Sequence, residues 1–133
     1  MRKIVLVGMC SVVLAAVLAG VGASASPSDD VFRGSWTSID IDGSHQMLDI
    51  RGSGQSGHYA MVLFDDSATL ACDGSPVRFQ GSGLVDGNSL LMTGAITCIP
   101  GGNPLQGRIS IRFVYNPGTD TLTDDFGVTW YRA

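Results

Sequence analysis

The chain has 133 residues, twelve acidic and eight basic side chains, a net charge of −4 and three cysteines. Its acidic surface repels phosphate backbones and anionic headgroups, which argues against nucleic-acid or lipid-surface binding. Its length suits one domain with a modest core.

The first element is a leader. Arg2-Lys3 precedes an apolar run from Ile4 to Leu18, and Ala23-Ser24-Ala25 stands before Ser26-Pro27. A basic start, an apolar middle and a small-x-small site predict a signal peptide over residues 1–25, cleaved near Ala25, and a secreted or extracytoplasmic protein. The run is short for a membrane span. Cys10 leaves with the leader, and Val7-Gly8-Met9-Cys10 lacks the small residue that lipid attachment needs before its cysteine. The remaining chain carries six arginines against twelve aspartates, a net charge of −6, and neither Lys nor Glu. Two good helix formers are therefore missing, and helices are not expected. Residues 26–33 read as a flexible N-terminal segment and 34–133 as the folded domain.

From Gly34 onward, short alternating runs are separated by turn residues, the pattern of antiparallel strands joined by hairpins. Eight strands are predicted: Gly34 to Ile41, Gln46 to Arg51, His58 to Phe64, Val77 to Val85, Ser89 to Cys98, Gly107 to Tyr115, Thr121 to Thr123 and Gly127 to Arg132. Asp42-Gly43, Gly52-Ser53-Gly54, Asp86-Gly87-Asn88, the Pro100 to Pro104 segment and Asn116-Pro117-Gly118 supply the turns. One helical turn is expected within Asp66 to Ala71. Ile109, Ile111, Phe113 and Tyr115 form a buried face, whereas Tyr59 to Phe64 is apolar on both faces and predicts a strand covered outside by a loop or a subunit. Gly81, Gly83 and Gly94 mark sharp bends. With little helix to cover a sheet, consecutive hairpins predict an all-β fold, a small antiparallel up-and-down β-barrel of about eight strands with one disulfide.

That disulfide pairs Cys72 with Cys98, the two cysteines left in an oxidising compartment. Closing a loop of this length stabilises a fold by about 3 kcal/mol in the chain-entropy treatment. No Cys-x-x-Cys spacing or neighbouring His points to redox or metal chemistry.

Gly34-Ser35-Trp36 on the first strand, with Trp130 and Arg132 on the last, resembles the signature of the calycin superfamily, the lipocalin-like and avidin-like barrels. The resemblance implies that Trp36 plugs one end of the barrel and that Arg132 lies across its ring, with Gly34 beside them. Guanidinium on indole gains cation–π energy of about 1 kcal/mol and closes the seam between first and last strands.

An inward Trp36 sends Ser38 and Asp40 inward by alternation, where they would orient a small ligand. In the competing arrangement a bulge after Trp36 turns Ile39 and Ile41 to the core and leaves Asp40 in solvent. Ser38 to Gly43, with Asp49, partly echoes a calcium loop but lacks its first carboxylate, its terminal Glu and flanking helices, so no metal or other cofactor is assigned. His45 and His58 read as surface residues, and Gly54-Gln55-Ser56-Gly57 misses nucleophile-elbow spacing by one residue. No catalytic residue is assigned. Arg108 and Arg112, with Arg78, either form a basic patch on the outer wall or are ordinary outward residues. Asp65-Asp66 and Asp124-Asp125 read as turn residues and strand-edge protection.

These features predict a non-catalytic secreted binding protein taking a small apolar or amphipathic molecule in the barrel mouth. Trp36, Tyr59, Met61, Met92 and Trp130 would supply apolar surface, and Ser38 or Asp40 the orientation. The alternative is a protein-binding platform, as in small secreted protease inhibitors, using the Pro100 to Gln106 and Cys72 to Pro76 loops. An eight-stranded barrel lies near the size at which side chains alone fill the lumen, so the interior decides between the two.

Overall fold

The computed structural model describes residues 30–53, 56–100 and 108–133. Eight antiparallel strands close into a barrel in chain order: β1 (Gly34–Ile39), β2 (His45–Ser53), β3 (His58–Asp65), β4 (Val77–Asp86), β5 (Ser89–Cys98), β6 (Arg108–Asn116), β7 (Thr121–Asp124) and β8 (Thr129–Arg132). Closure is made by β1 against β8, with Trp36 opposite Arg132 and Thr37 opposite Tyr131. The all-β class, strand number, closure and Cys72–Cys98 disulfide agree with the sequence reading. The short helix, α1, covers Thr69–Cys72, one residue past the segment expected to coil.

Alternation fills the interior. Facing positions bring Trp36, Leu48, Leu63, Phe79 and Ile96 across five consecutive strands. Leu90 and Met92 lie opposite Phe113 and Ile111, and Leu122 opposite Trp130. Eleven large side chains, including both tryptophans, Met61 and Met92, are essentially out of solvent. Two glycines permit this packing. Gly81 and Gly94 face each other, and a Cβ on either would come within 2.1 Å of the opposite strand's backbone oxygen. The β4 and β5 backbones therefore approach where any side chain would hold them apart.

Strand ends move for local reasons. The first strand stops at Ile39, not Ile41, because the Asp40 N–H bonds the Ser44 carbonyl at 2.9 Å and the chain turns. The β1–β2 register runs without a bulge, so Ile39 points outward between inward Ser38 and the turn that carries Ile41; both isoleucines are exposed, which corrects the arrangement that buried them. The last strand starts at Thr129 because the Asp124 carboxylate accepts the Phe126 and Val128 N–H groups, each at 2.9 Å. Tyr59 to Phe64 is not covered by a loop among the described residues: Phe64 sits exposed opposite exposed Met47.

Of the N-terminal segment expected to be flexible, residues 30–33 are docked, while 26–29 lie outside the described residues. Phe32 is buried, edge-on to Tyr59 and Tyr115 at centroid distances of 6.3 and 6.1 Å, so this segment plugs one end. The opposite end is capped by the β3–β4 connection carrying α1, which the disulfide ties to β5. The predicted signal peptide and its cleavage point also lie outside the described residues.

Candidate functional site

The seam is built as the Gly-x-Trp signature implies. Arg132 stacks its guanidinium 4.2 Å from the Trp36 ring centroid, and the Trp36 indole N–H donates to the Phe32 carbonyl at 2.9 Å. Arg132 also donates to the carbonyls of Val31 and Arg33, at 2.8 and 3.1 Å, and to the Asp120 carboxylate at 2.7 Å. That last bond holds Asp120 below the usual carboxylate range. Gly34 has φ of 129°, and a Cβ there would meet the Arg132 guanidinium at 3.4 Å, so glycine suits both the backbone and the approach.

The residues expected to line a ligand pocket sit in packed surroundings. Met61 and Met92 are buried in the core. Trp130 lies edge-on to Phe113 at 5.8 Å and donates its indole N–H to Asp124 at 3.0 Å. Tyr59 donates its hydroxyl to Asp30, and burial with that carboxylate raises its pKa. Ser38 points inward as alternation requires, but its hydroxyl is already bonded to the Thr129 carbonyl at 2.8 Å. Asp40 lies beyond the strand on the rim. Its carboxylate accepts the Ile41 N–H at 2.6 Å and the Gln46 amide at 3.1 Å, and desolvation together with Asp42, Asp65 and Asp124 raises its pKa.

The calcium-loop echo does not assemble. Asp49 faces outward on β2 with Ser35 donating to it at 2.6 Å, and no group of three or more metal-binding side chains occurs among the described residues. His45 and His58 are exposed. Arg78 and Arg108 flank β5 on the outer wall, opposite Thr97 and Ala95, and Arg112 lies opposite Leu91 farther along.

What sequence reading missed lies at the capped end. Four connections of an up-and-down barrel emerge there, and each presents a large apolar side chain to solvent. Leu70 on α1 is 95% exposed, Ile41 in the β1–β2 turn 82%, Phe126 in the β7–β8 turn 67%, Ile39 64% and Ile99, just after β5, 40%. The connections are knitted together. His45 and Asp66 exchange bonds through the His45 N–H to the Asp66 carboxylate at 2.9 Å and the Asp66 N–H to the His45 carbonyl at 3.1 Å. Asp42 is held at a pKa of about 2 by the Ser44 N–H and by bonding from Thr69 of α1. Ile41 and Leu70 are therefore neighbours of residues in direct contact. A recess of about 420 Å³ opens beside Ile39, lined by Thr37, Ser38, Ile39, Thr129 and Tyr131, where the short β1–β8 ladder runs out. Five aspartates share these connections: Asp40, Asp42, Asp66, Asp73 and Asp125. The signal was present in the sequence, because Ile41 in Asp-Ile-Asp-Gly and Phe126 in Asp-Asp-Phe-Gly stand inside turns that cannot bury them. Of the two loops expected to carry recognition, Cys72 to Pro76 belongs to this end, and residues 101–106 lie outside the described residues.

No protein-family model matches the chain, and no curated protein or solved structure matches it either. The closed eight-stranded antiparallel barrel is consistent with the calycin superfamily.

Proposed function

We propose that this chain is an exported, non-catalytic binding module that docks on another protein through the capped end of its barrel. The observation that carries this reading is the contrast between a filled interior and solvent-facing Ile39, Ile41, Leu70 and Phe126 on neighbouring connections. Large apolar side chains grouped at one end of a fold that does not bury them point to an interaction surface. Moving one such side chain fully out of water contributes about 1.5–3 kcal/mol. Rigid attachment lowers the ordering cost, since α1 is tied down by the Cys72–Cys98 bond and the turns by aspartate-to-backbone bonds.

A ligand held in the barrel mouth receives less support, because Trp36, Tyr59, Ser38 and Trp130 spend their polar atoms on other parts of the fold. Export rests on the leader sequence. Titration with an environment-sensitive hydrophobic dye separates the two readings. Docking at the capped end predicts that the combined Ile41→Ser, Leu70→Ser and Phe126→Ser substitutions remove dye binding while Trp36 and Trp130 emission stays constant. Saturable quenching of tryptophan emission that persists in this variant would place the ligand inside the barrel and overturn the proposal.

A further inference from the structure

Resting on that docking surface, we infer that the partner presents apolar side chains ringed by lysine or arginine. The connections at the capped end are acidic, and the arginines nearest them, Arg78, Arg108 and Arg112, lie on the wall strands. The connections at the capped end carry Asp42, Asp66, Asp73 and Asp125 around Ile41, Leu70 and Phe126, and the sequence places no Lys, Arg or His in any of them. These four carboxylates are all exposed. Three of them are oriented by backbone bonds, Asp42 by the Ser44 N–H at 3.0 Å, Asp66 by the His45 N–H at 2.9 Å and Asp125 by the Arg112 N–H at 2.8 Å. These three side chains are thus held in place while lone pairs still face outward.

An acidic rim around an apolar centre repels an acidic partner and an anionic bilayer alike, and it steers a cationic one into contact. The recess beside Ile39 accepts one side chain of the partner: its Ile39 and Tyr131 walls suit an apolar group, and Thr37 and Thr129 add polar edges. Cationic groups at the rim then meet carboxylates that remain partly hydrated. They contribute to association rate and selectivity more than to affinity.

The test uses the whole protein and a random dodecapeptide display library, counter-selected on the Ile41→Ser, Leu70→Ser, Phe126→Ser variant. Enriched peptides are expected to place Lys or Arg beside apolar residues. Their dissociation constants should rise about tenfold in the Asp42→Asn, Asp73→Asn, Asp125→Asn variant, and also when salt is raised from about 0.05 to 0.5 M. Asparagine keeps an acceptor oxygen, so folding is preserved. Peptides that bind the capped end but are neutral or acidic would overturn the inference and leave the docking reading intact. Peptides that bind the triple serine variant equally well, or a library that yields no binder, would overturn both. Retention on neutral phosphatidylcholine vesicles in place of peptide binding would also contradict a protein partner.

Discussion

Arg132 joins three parts of the molecule through one planar group. Its face covers the Trp36 indole, its edge donates to two carbonyls of the N-terminal plug, and its Nε–H reaches Asp120 at the β6–β7 connection. The Asp120 pair is solvent-accessible and contributes little on its own. Most of the benefit comes from the stacking and from the two hydrogen bonds to the Val31 and Arg33 carbonyls. Arg132→Ala is expected to cost about 3 kcal/mol in urea unfolding. Arg132→Lys should recover less than half, because a single ammonium cannot stack and reach both carbonyls. Equal stability of the lysine variant and the parent would contradict this account.

At the other end Gln46 has a comparable joining role. Its amide NH₂ donates to both Asp40 and Asp65, at 3.1 and 3.2 Å, so a neutral donor holds two carboxylates together. Gln46→Glu would put a third carboxylate among them. Its folded pKa would rise above the unfolded value, so the penalty is absent at low pH and grows as pH rises through the folded pKa. The variant is expected to be about 2 kcal/mol less stable at neutral pH and close to the parent near pH 3. A deficit independent of pH would point to lost packing instead.

Among the elements, β4 and β5 depend on the absence of side chains at Gly81 and Gly94. Gly94→Ala would set a Cβ 2.1 Å from the Gln80 carbonyl oxygen and 2.7 Å from the Gly81 Cα, and both neighbours are backbone. The strands must separate, so the expected loss is about 3 kcal/mol or failure to fold, read by thermal melting. A melting point within a degree or two of the parent would mean that the strands do not approach as closely as described. The sequence shows why strands were easy to recognise and their ends were not. Alternation in Ile109, Ile111, Phe113 and Tyr115 reports directly on which face is buried. Ile39 and Ile41 follow the same alternation, yet the phase set by inward Trp36 and Ser38 turns Ile39 outward, and the Asp40 backbone bond and Asp42 carboxylate bond to Ser44 end the strand before Ile41. Strand phase at Ile39 and turn chemistry at Ile41 overrode the hydrophobic pattern, which is why these exposed apolar residues do not read as a site from sequence. Phe32 was missed for the opposite reason: its burial depends on Tyr59 and Tyr115, which are remote in sequence.

For the whole molecule, closure and filling are one property. The two tryptophans come from adjoining strands and lie toward opposite ends, Trp36 under the N-terminal plug and Trp130 against Asp124 at the capped end. Between them the inward side chains occupy the axis, which turns recognition outward to the connections and the wall. The Gly-x-Trp signature and the final arginine made the seam legible from sequence. Whether the lumen was open was not legible, because that depends on how side chains from all eight strands fit together.

The most direct test of this picture is native-state hydrogen exchange of the two indole N–H groups, followed by NMR. In a closed and filled barrel, both are buried donors in hydrogen bonds and should exchange only through global opening, with protection matching the slowest backbone amides of β3 to β5. Exchange of either indole within minutes, while those amides remain protected, would reveal an open seam or a hydrated lumen and contradict the account.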